Sequence, residues 1–351
     1  MDASLVRRHV LLPVTATVCA VLLAVGCTGS STPESSTRAV APVADNDLQS
    51  DYQTVIRNVL PSVVQIEAGS GLGSGIVYDT KGHVVTNAHV VGAEKSFLVT
   101  AATGEQAMTA KLVSSFPQQD LAVIRLDKVP EGLKPARFGD SAKVEVGHIV
   151  LAMGSPLGLS SSVTQGIVSA VGRTVTDSPE AGGTGATLAN MVQTSAAINP
   201  GNSGGALANL DSEVIGIPTL AATDPGMEGA PAPGIGFAAP ASTVKSIADQ
   251  IIKDGKVTDS GRAALGITAR TVLDDNYQPA GVAVVEVAKG GAAEKAGLRA
   301  GDIVTKLGSV EITTITSLAE ALASYSPGQR VGVTYLRGGE SGRVEVTLGE
   351  I

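Results

Sequence analysis

Ser203 lies in the run Gly201-Asn202-Ser203-Gly204-Gly205. A serine between glycines can sit at a tight turn with its Oγ exposed and backbone N–H groups pointing outward. Acyl transfer needs that combination, a nucleophile beside donors aimed at a developing oxyanion; the same loop would also serve as a plain turn. A serine nucleophile needs a base, and histidine is the first candidate. The chain holds His9, His83, His89 and His148. His9 falls in a segment read below as an export signal. His83 sits in a strand-like run without a polar companion, and His148 follows Gly147 at a loop–strand junction where exposure is expected. His89 belongs to Val84-Val85-Thr86-Asn87-Ala88-His89-Val90-Val91, a strand running into a corner of small residues. That is a rigid place from which an imidazole can reach a neighbouring loop. Asp120 directly precedes Leu121-Ala122-Val123-Ile124, a buried-type strand. An acid there is costly unless paired, and a histidine Nδ1–H would pair it; a simple strand-start aspartate is the other reading.

The elements that must hold these residues are short strands divided by glycine-rich turns. Expected strands are Val63–Ile66, Gly75–Tyr78, His83–Thr86, Ser96–Thr100, Ala107–Val113, Leu121–Leu126 and Ile149–Met153, then Ile167–Val171, Met191–Thr194, Ala206–Ala208, Glu213–Ile217 and Ile235–Ala238. That spacing predicts an all-β sandwich or a pair of barrels. Two stretches, Arg173–Leu188 and Ala221–Gly234, read as long loops. Before the strands, Tyr52, Val55, Ile56, Val59 and Leu60 repeat at helical spacing up to Pro61. After them, Val244, Ile247, Ile251 and Ile252 line one face of a helix over Ser242–Asp254, with Gly255 as its stop. A second, smaller unit follows, with strands at Leu265–Ala269, Val282–Val287, Ile303–Leu307, Val331–Leu336 and Arg343–Leu348 flanking two short helices. Ser317-Leu318-Ala319-Glu320 reads as a capping box opening the second of them.

At 351 residues, with 43% hydrophobic and 17% charged residues, the chain can bury two cores. A net charge of −8 without Lys/Arg blocks excludes an electrostatic footprint for nucleic acid. No Cys/His cluster has ligand spacing, so neither metal nor cofactor is expected. Arg7 and Arg8 precede an apolar run from Val10 to Gly26, the charged and apolar regions of an export signal, short of the roughly 20 residues a spanning helix needs. Leu23-Ala24-Val25-Gly26-Cys27 resembles a bacterial lipobox, with Cys27 as the lipidated residue, although Ala24 stands where the motif has Leu. An uncleaved anchor or an ordinary cleaved signal are the alternatives. Cys19 lies in the apolar run, so the mature chain keeps at most Cys27 and forms no internal disulfide. The expected organisation is an export signal at 1–27, a Ser/Thr/Pro-rich tether at 28–47, a first domain at 48–255, a linker at 256–261 and a second domain at 262–351.

Taken together, Thr86-Asn87-Ala88-His89-Val90-Val91, Asp120-Leu121-Ala122-Val123-Ile124 and Gly201-Asn202-Ser203-Gly204-Gly205-Ala206-Leu207 resemble the three catalytic motifs of the HtrA/DegP serine proteases, in the chain order His, Asp, Ser of chymotrypsin-like enzymes. Gln193-Thr194, Ala196-Ala197-Ile198-Asn199-Pro200 and Ile235-Gly236-Phe237-Ala238-Ala239-Pro240 extend the likeness, which runs from about Leu48 to Ile351. It implies a chymotrypsin-like double β-barrel followed by a smaller α+β PDZ domain. Ser203 would be the nucleophile, His89 the base, Asp120 the orienting carboxylate, and the N–H groups of Gly201 and Ser203 the oxyanion hole. Ile198, with Thr219, Leu220 and Ala221, would line an apolar substrate pocket. Ser195 and Pro218 depart from the family, which usually has Asp and Asn there. Leu265-Gly266-Ile267 resembles the PDZ carboxylate loop, and Gly297-Leu298-Arg299-Ala300-Gly301-Asp302 its central turn; Ala264 replaces a common aromatic. The resemblance implies an envelope endopeptidase acting on unfolded or mislocalised proteins, regulated by C-terminal peptides at the PDZ domain and assembled as a homotrimer. A peptide-binding chaperone or scaffold with low proteolysis is the alternative, and a protease with one dedicated substrate is a third.

Overall fold

Apolar runs such as Leu121-Ala122-Val123-Ile124 do not alternate with polar residues because both faces of their strands are covered. Ala122, Ile124 and Leu126 point into one β-barrel, while Leu121 and Val123 join a second core outside it. Val150 and Ala152 likewise fill another barrel, and their neighbours Leu151 and Met153 turn to the same shared core. The period of two persists; it alternates between two apolar environments rather than between core and water.

The computed structural model describes residues 47–104, 106–155, 161–176, 186–199, 201–224 and 230–350. The first barrel comprises β1 (Val63–Ala68), β2 (Gly71–Val77), β3 (His83–Thr86), β4 (Ser96–Ala101), β5 (Ala107–Phe116) and β6 (Leu121–Leu126), closed in the order β1-β2-β3-β6-β5-β4. The second comprises β7 (Ile149–Gly154), β8 (Ser162–Thr176), β9 (Thr187–Thr194), β10 (Ala206–Ala208), β11 (Val214–Asp224) and β12 (Ala230–Pro240), closed as β10-β11-β12-β9-β8-β7. Helix α1 (Asp47–Val59) lays Val55 and Val59 on the shared core, continuing into a 3₁₀ turn at Leu60–Ser62. A one-turn helix, α2 (Ala88–Val91), follows β3. Helix α3 (Ala241–Asp254) buries Val244, Ile247, Ala248 and Ile251 against the shared core and ends at Gly255 in the left-handed conformation (φ 72°). Each fully buried valine or isoleucine of these helices stabilises the barrel pair by roughly 1.5–3 kcal/mol.

The C-terminal domain has its own core, including Leu265, Val282, Val304, Leu318 and Val333. Its sheet runs β14 (Ile267–Leu273), β15 (Pro279–Val287), β16 (Ile303–Leu307), β18 (Arg330–Arg337), β19 (Glu340–Thr347), with β17 (Val310–Glu311) paired to β16. A separate two-stranded pair joins β13 (Ala263–Ala264) to β20 (Gly349–Glu350). Helices α4 (Ala292–Ala296) and α5 (Ile315–Ala323) complete the domain.

Several sequence expectations change. The stretch Arg173–Leu188 is not all loop: Arg173–Thr176 prolongs β8 and Thr187–Leu188 opens β9, paired through Val175↔Leu188 and Thr176↔Thr187. Ala221–Gly234 is largely a hairpin of β11 and β12, with Thr223↔Pro231 and Asp224↔Ala230 in register. Residues 177–185 and 225–229, the middle of both stretches, lie outside the described residues, as do the export segment, Cys27 and the tether up to residue 46. The capping box is displaced. Thr314 is the N-cap and Ser317 is its partner in the first turn, each side chain bonding the other's backbone N–H at 3.0 Å. Leu265 and Gly266 precede the strand that Leu265 was expected to open. His83 has a partner after all: Asp79 accepts at 2.7 Å from its Nδ1, within the β2–β3 turn. Burial opposes ionisation of Asp79, yet the hydrogen bonds from His83 outweigh it and lower its pKa. No described helix is long and apolar enough to cross a membrane.

Candidate active site

Strand β3 delivers its chain into α2, whose N-cap Asn87 is extended and whose C-cap Gly92 has φ 53°. The single turn of helix that carries His89 packs against β2, β5 and β6. Asp120 approaches from the other side, as the cap of a 3₁₀ turn at Pro117–Gln119, and it adopts the left-handed conformation (φ 49°, ψ 45°). A non-glycine residue enters that region only when its surroundings hold it there. Both carboxylate oxygens are committed to one residue: Oδ1 accepts the His89 backbone N–H at 2.9 Å, and Oδ2 lies 2.7 Å from His89 Nδ1. The Asp120 side chain is 0% exposed and that of His89 21%. The imidazole is therefore anchored through Nδ1, which leaves Nε2 as the nitrogen able to take a proton from a nucleophile.

Ser203 belongs to the other barrel, in the loop before β10, and its loop is held by backbone groups of both barrels, β2 of the first and β11 of its own. The Ser74 N–H of β2 donates to the Ser203 carbonyl at 2.9 Å, and the Gly204 N–H donates to the Pro218 carbonyl at 2.9 Å. Gly204 (φ 83°) has no room for a side chain, because a Cβ would run into the Ser74 carbonyl and Thr86 Oγ1. Ser203 Oγ donates to the Thr219 carbonyl at 3.2 Å. Thr219 in turn meets the first barrel: Asn87 Nδ2 donates to Thr219 Oγ1 at 3.1 Å and to the Asp120 carbonyl at 2.8 Å. One buried network thus links the aspartate, the histidine's cap residue and the strand carrying the acceptor of the serine hydroxyl.

Asn87, Thr86 and Ser74 enter this network and were not among the sequence candidates. Asn87 was visible only as a small polar residue beside His89. Ser74 stands in Gly73-Ser74-Gly75, a second serine flanked by glycines, which was the available signal. Pro218, a departure from the family, serves through its carbonyl, and a bulge between Pro218 and Leu220 accommodates the missing N–H in β11. Ser195, the other departure, is exposed and accepts the Ile167 N–H on its Oγ at 3.0 Å.

Of the residues expected to line a substrate pocket, Ile198 is 8% exposed, packs in the core of the second barrel and closes over Gly236, where a Cβ would meet its side chain. Ala221 is half-buried against the same core. The Thr219 side chain faces Asn87 rather than open space, so its carbonyl is what it offers the site. The Leu220 side chain lies outside the described atoms.

In the C-terminal domain, Leu265 sinks into the core, and its carbonyl accepts the Ala293 N–H at 2.8 Å. Gly266 (φ 71°) then turns the chain into Ile267, the first residue of β14. A cavity of about 950 Å³ opens beside this loop, bounded by Gly266, Ile267 and Ala269 on one side, Leu318 and Leu322 of α5 on another, and Asn190 of β9 across from them. The two domains touch around it. Arg262 donates to the carbonyls of Gln118 (3.2 Å) and Thr187 (3.1 Å), and Gln119 donates to the Ser260 carbonyl at 3.4 Å. Burial presses the Arg262 guanidinium below its ordinary pKa. Gln118 and Gln119 are the residues immediately before Asp120.

Comparison with known proteins agrees with this geometry. Residues 73–217 match the family "Trypsin-like peptidase domain" and residues 263–348 the family "PDZ domain". The serine protease PepD of Mycobacterium tuberculosis is 38% identical over 338 residues, 92% of this chain and 71% of that protein. A probable periplasmic serine protease do/HhoA-like of Haemophilus influenzae is 38% identical over 79% of this chain and 58% of its own length. Among solved structures, the HtrA-type protease AlgW with tripeptide superposes with a TM-score of 0.60 at 30% identity, covering 85% of this chain and 96% of that one. The chain belongs to the HtrA family of trypsin-like serine proteases and carries one PDZ domain after its protease domain.

Proposed function

We propose that this serine protease is an endopeptidase of the cell envelope that hydrolyses unfolded or mislocalised proteins, with Ser203, His89 and Asp120 as its catalytic triad. The observation that carries the assignment is the doubly held His89: an imidazole locked through Nδ1 by a buried carboxylate, in a network that reaches the Ser203 loop. Ser203 Oγ attacks the scissile carbonyl while His89 Nε2 takes its proton. The N–H groups of Gly201 and Ser203 receive the oxyanion, and the imidazolium, stabilised by Asp120, returns the proton to the leaving amine. Water then repeats the sequence on the acyl-enzyme. An apolar pocket at Ile198, Thr219, Leu220 and Ala221 rests on the family resemblance, and with it goes a preference for aliphatic side chains before the cleaved bond. A fluorophosphonate probe tests the nucleophile: wild type should be labelled and Ser203→Ala should not. Absence of labelling in wild type, with peptides still bound, would favour the scaffold reading. Digestion of denatured casein separates broad substrate range from a single dedicated substrate.

Regulation through the PDZ domain is part of the same reading. An extended C-terminal peptide would add beside β14, its carboxylate on the N–H groups of the Leu265-Gly266-Ile267 loop. Arg262 supports a coupling route, since it joins the start of this domain to the turn that presents Asp120. Arg262→Ala should abolish the response of kcat to C-terminal peptides while leaving their binding within about threefold; an unchanged response argues against this route. The Haemophilus relative is named periplasmic, which supports an envelope location. Lipid attachment at Cys27 and homotrimer assembly rest on the sequence resemblance. Incorporation of labelled palmitate in wild type but not Cys27→Ser, and light scattering of the purified protein, test them.

A further inference from the structure

The Ser74 side chain is completely buried where strand β2 meets the Gly201–Ser203 loop. Its hydroxyl donates to the Gly201 carbonyl at 2.5 Å and accepts the Ser155 N–H at 2.9 Å. Its own N–H holds the Ser203 carbonyl at 2.9 Å, and its carbonyl accepts Thr86 Oγ1 at 2.6 Å. Ser74 therefore grips the carbonyls at both ends of Gly201-Asn202-Ser203, the three residues that present the nucleophile. The Asn202 N–H, in the same peptide plane as the Gly201 carbonyl, is tied to the Asn199 carbonyl at 3.0 Å. That plane is consequently held on both sides.

The freedom that remains in this loop is at Gly201 itself. Its φ of 101° is open to glycine and disfavoured for other residues, so it is the natural pivot for turning the preceding N–H toward or away from a substrate carbonyl. We propose that Ser74 is a positioning residue for the oxyanion hole: its hydroxyl clamps the Gly201 carbonyl, which fixes the Gly201–Asn202 peptide plane and so holds the loop that carries the Gly201 and Ser203 N–H groups. The inference rests on the reading of Ser203 as nucleophile and adds a residue from the opposite barrel to it. Without the hydroxyl, the Gly201 carbonyl and Ser155 N–H both lose a partner in a buried setting, and the loop relaxes by turning them toward other donors and acceptors. An anion-stabilising arrangement is sensitive to such turning, because its donors must already point at the charge when it forms.

The test compares Ser74→Ala and Ser74→Thr with wild type on a peptide substrate and on a peptide boronate, whose tetrahedral adduct places an oxygen where the oxyanion forms. Ser74→Ala should lower kcat by about 10²-fold, near the effect of losing one oxyanion donor. KM should change by less than about threefold, and boronate affinity should fall by the same factor as kcat. Ser74→Thr, which keeps the hydroxyl, should recover most of both. A space-filling role would lower the melting temperature and leave the kcat-to-KM split and the boronate affinity alone. Ser74→Gly replaces the alanine variant should that one not fold. A folded, hydroxyl-free variant with wild-type kcat and boronate affinity overturns the proposal. Wild type that reacts with neither boronate nor fluorophosphonate overturns the nucleophile reading instead, and this inference with it.

Discussion

A carboxylate that holds both the amide and the ring of one histidine leaves that side chain little freedom. Asp120 is buried and left-handed, so its orientation is over-determined by Asn87 on its carbonyl and His89 on its carboxylate. An amide in its place would fill the same volume and keep one acceptor, but its NH₂ group would stabilise the tautomer with the proton on Nε2, which cannot act as a base. Asp120→Asn should therefore fold, retain KM within a few-fold and lose about 10⁴ in kcat. Thermal melting and steady-state kinetics on one peptide substrate check both halves. The sequence made this residue legible through cost: an acid entering an apolar strand demanded a partner. It did not make Asn87 legible, because a neutral amide two residues before His89 has no such cost until its burial is known.

Among the elements, the Gly201–Gly205 loop depends on the first barrel as well as on its own. Gly204 lies against the Ser74 carbonyl and the Thr86 hydroxyl, both from the opposite barrel. Gly204→Ala should displace that contact and strain the backbone at φ 83°, destabilising the protein by about 3 kcal/mol or more and abolishing fluorophosphonate labelling. Retention of both labelling and melting temperature would show that the loop can shift away from β2 without consequence. Strand positions were largely readable, and Leu121–Leu126, His83–Thr86 and Ala206–Ala208 coincide with β6, β3 and β10. Loops were harder. Arg173–Thr176 and Ala221–Asp224 lack the apolar runs that marked other strands, and ladder pairing with β9 and β12 extends the strands through them. The misplaced capping box has a local cause: Thr314 and Ser317 are both competent N-caps, and only backbone geometry chooses between them.

For the whole molecule, two cores of different origin predict separable responses to acid. Asp302, buried in the PDZ domain, is held below the usual carboxylate range by its hydrogen bonds to Arg337, with the Arg299 N–H assisting. A lowered folded-state pKa contributes stability that is present above the ordinary aspartate value and lost as pH falls through the folded one. Melting of the PDZ transition should therefore steepen its decline below about pH 4, and Asp302→Asn should flatten that limb while lowering stability at neutral pH. Calorimetry from pH 7 to 3 reads both. The closed barrels carry a further consequence for the molecule in the presence of other, unfolded chains. Among the described residues each barrel closes on itself, so the closed ring offers no edge on which to template a foreign β-strand. The five-strand path of the PDZ sheet ends in two outer strands, and they are unlike. Along β19 the exposed residues include Glu340, Arg343 and Glu345, charges that discourage indiscriminate pairing, whereas β14 borders the cavity beneath α5. Of the two ends of this sheet path, one is thus guarded by charge and the other sheltered beside a cavity.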